Sequence, residues 1–544
     1  MPSQTTAQGS SLELDAVIVG AGFSGIYVLQ RLRDELKMKV KILEAGSRLA
    51  GVWNWNTYPG ARVDSPSPTY GFDFEEVYKT YNWTELYPGQ KEMQAYFEHV
   101  DKLLSIRKDC IFNTIVKEAR FDQLKSRWTI QTNNGLTVVA KYFIPAVGGL
   151  SKQYMPQWKG IESFQGPICH SSEWPSEGID VRGKRVAVIG TGSTGVQITQ
   201  EWAKEAKETI VFQRTPNICY PLQKQLKLDP AEQEEFKKKS ADMYSKFWAT
   251  GNTHEKGTVL YFADRTPEEW EKFLKHLYNE GDGLSLWMLA IADWDTNPEA
   301  NRFLYDFWAR TVRERVHDPV KRDILAPLEP LYPYGSKRVV MEIDYYDLFN
   351  KPNLDLVDIR NDPIAEIAPH SIITQTGRFF EVDVIAVATG FDAGAGSLMK
   401  IDIRDTNNIP ISERWKNGVL TFLGLMVPDF PNMFTPYGPQ SPGELSNGSI
   451  LVLYHACWIR DMIKKMENEG IRSIEPRLEV AQDWRDEVQA NTTFLAQGRS
   501  WYNGWNIPDK PKELIYYICN DFPYYLKKCS DPLGIDFGKS FIST

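Results

Sequence analysis

The sequence predicts an α/β protein of 544 residues, built from two parallel-sheet units and a helical insertion. Three observations carry that prediction. The apolar run Asp15 to Gly20 enters the turn Gly20-Ala-Gly22-Phe-Ser-Gly25, and the run Arg185 to Gly190 enters Gly190-Thr-Gly192-Ser-Thr-Gly195. In both, a short β-branched strand leads to a GxGxxG turn and then to a helical pattern, the context that a bare motif lacks. Between the second turn and the later strands lies charged, proline-punctuated sequence with helical periodicity.

The glycines of each turn have separate tasks: a tight bend, close approach of backbone to a pyrophosphate, and close packing of helix on strand. A pyrophosphate then sits over a helix N-terminus, where free N–H groups and the dipole favour negative charge. The fold class is therefore α/β with two Rossmann-like dinucleotide-binding domains. The residue 24 positions after the first glycine of each turn tells the ligands apart. In the first unit it is Glu44, after the strand Lys39 to Leu43, where a carboxylate accepts from a ribose 2′-OH. In the second it is Arg214, followed by Thr215, after Thr209 to Gln213, where a guanidinium pairs with a 2′-phosphate. This assigns FAD to the first unit and NADPH (NADP+) to the second.

The first unit opens at 14 and closes with the strand Lys141 to Gly148; the second occupies 151–221. Asp229-Pro-Ala-Glu232 and Thr266-Pro-Glu-Glu269 each offer a capping side chain, a first-turn proline and a glutamate at the third position. Asn297-Pro298 is a weaker start, and Trp270, Phe273, Leu274 and Leu277 repeat at helical spacing. A helical insertion over 222–333 follows. Strands resume at Leu354 and end in Asp383-Val-Ile-Ala-Val-Ala-Thr-Gly390, which hands the chain back to the first unit. The expected division is 1–13 as a disordered lead-in, 14–150 with 391–544 for FAD, and 151–221 with 334–390 for NADP.

A net charge of −9 argues against a nucleic-acid binder, and Lys237-Lys-Lys239 reads as a solvated helix face. No apolar stretch reaches the ~18–20 residues of a membrane helix, and the first dozen residues lack a signal-peptide pattern. Six scattered cysteines without C-x-x-C exclude a zinc ribbon and a dithiol site, and suggest a reducing, cytoplasmic setting. Cys519 and Cys529 could pair, but buried thiols fit better. The seven histidines show no metal spacing.

Between the two turns lies Phe164-Gln-Gly166-Pro-Ile-Cys-His170-Ser-Ser-Glu-Trp174-Pro175. It resembles, at each fixed position, the fingerprint of type I Baeyer–Villiger monooxygenases. A second family pattern matches over Ala50 to Asp64, and the resemblance runs from about 14 to 540. Related flavin N- and S-oxygenases, the alternative reading, carry tyrosine where this chain has Trp174-Pro175. A dinucleotide-binding regulator without activity would be expected to lack Arg338 or Asp64, and both are present.

The resemblance implies a ketone substrate, O2 as co-substrate, an ester or lactone product, and a C4a-peroxyflavin on the way. It sets Gly51, Val52, Trp53, Trp55, Asp64, Tyr70 and Val116 around FAD, beside Gly20, Gly22, Gly25 and Glu44. It sets Arg62, Thr191, Ser193, Thr194 and Gln197 at NADP, with the glycines Gly190, Gly192 and Gly195, and with Arg214, Thr215 and Lys337. Arg338 matches the family's active-site arginine, Asp64 the carboxylate that positions it, and Trp501 the tryptophan of a mobile loop over the nicotinamide. By residue type alone, Lys337-Arg338 after a glycine reads as an exposed turn. His170 alone reads as a structural hydrogen-bonder, and the resemblance implies coupling between domains. Gln440, Gly443 and Glu444 correspond to a segment lining the substrate pocket. There, and at Gly149, Trp505 and Asp509, the chain departs from commoner family residues, which leaves substrate scope open.

Overall fold

In the computed structural model, each glycine turn follows a central strand of its own sheet. The structure describes residues 11–67, 69–222, 227–250, 259–281, 283–443, 447–518 and 522–544. The first sheet has seven strands, in the order Asp402–Arg404, Val116–Asp122, Arg127–Thr132, Thr137–Pro145, Ser11–Val19, Val40–Leu43 and Cys110–Ile111. The strand Ser11–Val19 pairs parallel on both sides, Val17 standing opposite Lys41 and Phe143. Enclosed by neighbours, it buries Ala16, Val17 and Ile18 completely, as a strand covered on both faces must. Asp402–Arg404 pairs with Glu118–Arg120, so the chain beyond 391 does return to this sheet.

One expectation is corrected at its N-terminal edge. Ser11, Leu12 and Glu13 do not belong to a disordered lead-in; they pair with Thr137, Val138 and Val139. The ladder satisfies their backbone groups, which local composition could not reveal. Residues 1–10 lie outside the described residues.

The second sheet is wholly parallel, in the order Leu354–Asp358, Glu208–Gln213, Arg185–Ile189, Val384–Val387 and Ile168–His170. Its centre is again continuous apolar sequence: Val186, Ala187 and Val188 are 0 % exposed. Arg185 and Val384 start neighbouring strands, although almost 200 residues of chain separate them. The insertion leaves and rejoins through a parallel pair, Cys219–Pro221 with Val340–Glu342.

Among the described residues the insertion carries the α-helices Pro230–Thr250, Pro267–Glu280, Gly283–Met288, Pro298–Arg315 and Pro319–Leu325. Thr266 and Glu269 form the reciprocal capping box that their spacing predicts. Asp229 and Glu232 do the same, and Asn297 accepts from the amides of Glu299 and Ala300. Asp318 caps a further proline start, at Pro319, by the same device. Near the C-terminus, helix Gly448–Glu469 packs on helix Phe23–Gln30 and buries Leu453, Ile459 and Met462. Each such side chain stabilises the fold by about 1.5–3 kcal/mol. Among the described residues, no helix is long and apolar enough to cross a membrane. Cys519 is not described, so its pairing with Cys529 falls outside the structure.

Candidate active site

The first glycine turn admits no side chain at its corners. Gly20 has φ of 103°, and a Cβ there would stand 2.6 Å from the Ala146 carbonyl oxygen; at Gly25 it would overlap the Gly20 carbonyl. The helix Phe23–Gln30 starts at Gly22 without a side-chain cap, so its first amides open toward the turn. Glu44 is 3 % exposed, and its two oxygens accept the N–H groups of Ala21 and Gly46, both at 2.7 Å. Burial pushes its pKa up against these two bonds. The second turn repeats the design. Gly190 has φ of 109°, helix Ser193–Glu205 starts at an uncapped Gly192, and a Cβ on Gly192 would meet nothing within 4 Å. Open space over an uncapped helix start fits a pyrophosphate.

The charge around the second turn differs from that of the first. Thr191 Oγ1 donates to the Thr215 carbonyl at 3.0 Å, which keeps the strand end carrying Arg214 beside the turn. Lys337 lies close enough to Arg214 to feel its charge. Burial first, then Arg214, pull the Lys337 ammonium down to about 8. Neither cation has a carboxylate ion-pair partner among the described residues. Two neighbouring cations without a counter-charge form a site for an anion such as a phosphate.

The segment 50–64 joins the two units. Ala50 and Gly51 both have positive φ, 97° and 53°, and the Ala50 N–H donates to Ala21 at 3.1 Å. For alanine this backbone is strained, and the glycine turn behind it holds the strain. Helix Val52–Trp55 turns Trp53 inward, 9 % exposed, and leaves Val52 and Trp55 outside at 39 % and 43 %. Trp53 meets Tyr70 edge to face at 6.0 Å, and burial pushes the Tyr70 phenol up to about 12. Val116 is buried at the start of its strand. Tyr58 donates to Gln197 Oε1 at 3.0 Å, and Gln197 Nε2 donates to the Arg62 carbonyl at 3.2 Å. Thr194 Oγ1 donates to the Tyr58 hydroxyl at 3.4 Å. The Arg62 guanidinium turns elsewhere, to Glu85 and the Tyr87 carbonyl, both at 2.7 Å. Its charge is balanced there by Glu85.

Arg338 donates from Nε and Nη2 to Asp64 Oδ2, at 3.1 and 2.8 Å, with both side chains about three-tenths exposed. Its guanidinium lies 5.7 Å from the centre of the Trp287 ring. The turn before it is not an exposed one: Tyr334, Gly335 and Ser336 are all buried. Gly335 has φ of 73°, and a Cβ there would strike the Trp294 ring. Trp287 and Trp294, both from the insertion, thus close over the arginine turn. Nothing in their local sequence links them to residue 338. A cleft between the units has Asp64 and Val63 on one side and Ser193 and Gln197 on the other, with Leu222 and Met341 behind.

The fingerprint residues sit at the junction. His170 is 1 % exposed; Nε2 faces the Gly390 carbonyl at 3.2 Å and Nδ1 accepts the Ser172 N–H at 3.2 Å. A carbonyl can only accept, so Nε2 carries the proton, and burial holds the ring neutral by lowering its pKa. The ring also meets Phe391 edge to face at 5.4 Å. Trp174 is buried against Trp202 of helix Ser193–Glu205, centroids 5.5 Å apart, and Pro175 follows it at the surface of that cluster. Phe164 packs under the second sheet, and a Cβ on Gly166 would overlap the Asp383 carbonyl.

Trp501 begins a 3-10 turn capped reciprocally by Ser500 and Asn503, and its ring stands 5.8 Å from Tyr516, edge to face. Just before it, Gly498 lies so close to Ser336 that a Cβ would overlap that side chain. The expected pocket residues separate. Gln440 is 0 % exposed; its amide donates to the Val419 carbonyl at 2.9 Å and accepts from the Thr421 N–H at 3.0 Å. Its polar atoms are thus engaged by the neighbouring backbone. Gly443 lies under the Tyr516 ring, where a Cβ would stand 2.8 Å from Cδ1; at Gly149 it would stand 2.7 Å from Tyr516 Oη. Tyr516, which no local motif singles out, fills the room left by two glycines. Glu444 lies outside the described residues.

Comparison with known proteins identifies the family. A family model for pyridine nucleotide-disulphide oxidoreductases matches residues 14–247. The FAD-binding monooxygenase acrE of Aspergillus aculeatus is 42 % identical, over 96 % of this chain and 88 % of that protein. A Baeyer–Villiger monooxygenase of Pseudooceanicola batsensis is 34 % identical, over 93 % of this chain and 92 % of its own. The crystal structure of OTEMO with FAD and NADP superposes with a TM-score of 0.91 at 36 % identity, covering 98 % of this chain and 99 % of that one. The chain belongs to the type I Baeyer–Villiger monooxygenases and is an NADPH-dependent flavoprotein monooxygenase.

Proposed function

We propose that Arg338, held by Asp64, is the cation at which this chain carries out its family's reaction, conversion of a ketone to an ester or lactone with NADPH and O2. Ketone, O2, NADPH and a proton become ester, water and NADP+. The observation carrying this reading is the two-point contact between the Arg338 guanidinium and Asp64 Oδ2, at 2.8 and 3.1 Å, in a partly open cleft between the units. An arginine stays protonated at any working pH, so it stabilises negative charge that develops on oxygen beside it. Asp64, gripping Nε and Nη2, fixes its plane. FAD, when bound, supplies the transfer of electrons from NADPH to O2.

The turn at Gly20 to Gly25, with Glu44, would hold FAD, and the turn at Gly190 to Gly195, with Arg214 and Lys337, would hold NADPH. In the same reading the first sheet with the chain beyond 391 forms the FAD domain, and the second sheet forms the NADP domain. The loop carrying Trp501 covers the nucleotide and excludes water. Arg338→Ala is expected to keep FAD and to have it reduced by NADPH, while product mass analysis over linear, cyclic and aryl ketones finds ester yield down by about 10²–10³. Ordinary ester formation by that variant would remove Arg338 from this role.

A further inference from the structure

The segment around Trp501 contains little regular structure. One 3-10 turn, Trp501–Asn503, lies between the short helix Phe494–Gln497 and the buried run Leu514–Tyr516. Few backbone bonds hold such a segment, so its side-chain anchors weigh heavily in keeping one conformation. Asn503 and Lys512 tie the segment to its own backbone, whereas Asn506 and Lys510 reach one short stretch outside it. Lys510 Nζ donates to Asp392 Oδ1 at 2.5 Å and to the Ala393 carbonyl at 3.0 Å. Asn506 Nδ2 donates to the Phe391 carbonyl at 2.7 Å. Asp392 Oδ2 accepts from Lys152 at 2.9 Å.

These contacts are unequal. The side chains of Asp392 and Lys510 are 8 % and 10 % exposed, whereas Lys152 is 42 % exposed. Water screens the Lys152 contact and hardly reaches the Lys510 contact, so removing Lys510 forfeits the stronger attraction. Residues 391–393 also follow the strand Val384–Val387, where the chain leaves the second sheet for the first. On their other side stands His170, bonded to Gly390 and packed on Phe391. One stretch of three residues thus touches the fingerprint histidine and the loop together.

We propose that Lys510 is a positioning residue that, through its buried ion pair with Asp392, holds the Trp501 loop against the 391–393 crossover and so ties it to His170. The inference rests on the reading of that loop as the cover of the nucleotide site. Lys510 touches no reacting atom and acts only through the loop.

The test is amide hydrogen exchange over residues 499–508 in the full-length, FAD-loaded protein, with NADP+ release measured alongside. Lys510→Met is expected to speed exchange at Trp501 to Asn506 by about tenfold or more, Lys510→Arg to restore most of the protection, and Lys152→Met to leave it nearly unchanged. Unchanged exchange in Lys510→Met overturns the proposal whatever happens to turnover, and so does equal loosening in Lys152→Met. Faster exchange with unchanged NADP+ release supports the anchor but overturns the loop's role as a cover, so the two readings fail separately.

Discussion

Lys337 offers a test in which the pH dependence carries the information. Burial beside Arg214 pulls its ammonium down to about 8 in the nucleotide-free protein. A 2′-phosphate bound between the two cations favours the charged form, so binding raises that pKa and takes up a proton above it. Affinity is therefore complete below about 8 and is lost as pH rises. About nine in ten Lys337 side chains carry the proton at pH 7 and about one in ten at pH 9, so Kd for NADP+ should rise about tenfold between them. The phosphate's own second ionisation, near 6, lies below this window. Calorimetric titration of the oxidised, FAD-loaded protein with NADP+ and NAD+ from pH 7 to 9 measures the effect. NAD+ lacks the phosphate and should show no such rise. Lys337→Met should weaken NADP+ at pH 7 by roughly 10–100-fold, the value of a charge-assisted bond, and flatten the slope. An equal slope for NAD+, or one that persists in the variant, refutes the reasoning.

Three further outcomes follow from the geometry. Glu44→Ala leaves the Ala21 and Gly46 amides without their carboxylate acceptor, so FAD content after purification falls and stability drops by about 1–3 kcal/mol, read by flavin absorbance and denaturant titration. Gly443→Ala drives a methyl to 2.8 Å from the Tyr516 ring; overpacking costs about 1–3 kcal/mol, and Tyr516→Leu in the same chain should recover it in thermal melts. His455 is fully buried, accepts the Tyr437 N–H at 3.0 Å, and has its pKa lowered to about 3. The unfolded chain protonates His455 near 6.5 and the folded one does not, so it costs stability as pH falls from about 6.5 toward 3. Melting temperature should drop less steeply over that range in His455→Phe than in the parent.

Sequence by itself determined the two dinucleotide units, because their signals are local: a β-branched run, glycines at fixed intervals, and a carboxylate or guanidinium at the end of the next strand. Three of the insertion's helix starts were equally legible, since a cap and a first-turn proline act within one turn of chain, whereas Gly283–Met288 and Pro319–Leu325 were not read. What only the tertiary structure decided is which distant side chains meet. The Arg338 turn is buried because Trp287 and Trp294 close over it from the insertion, against the exposed turn that its residue types suggest. Only the fold shows that the Arg62 guanidinium pairs with Glu85 and that the Gln440 amide is bound by Val419 and Thr421. Ser11 to Glu13 read as a loose end until the strand Thr137–Pro145 supplies their partners. In each case local propensity is weak and a long-range contact outweighs it: a buried charge or amide must find a partner, and which partner is within reach is a property of the folded chain.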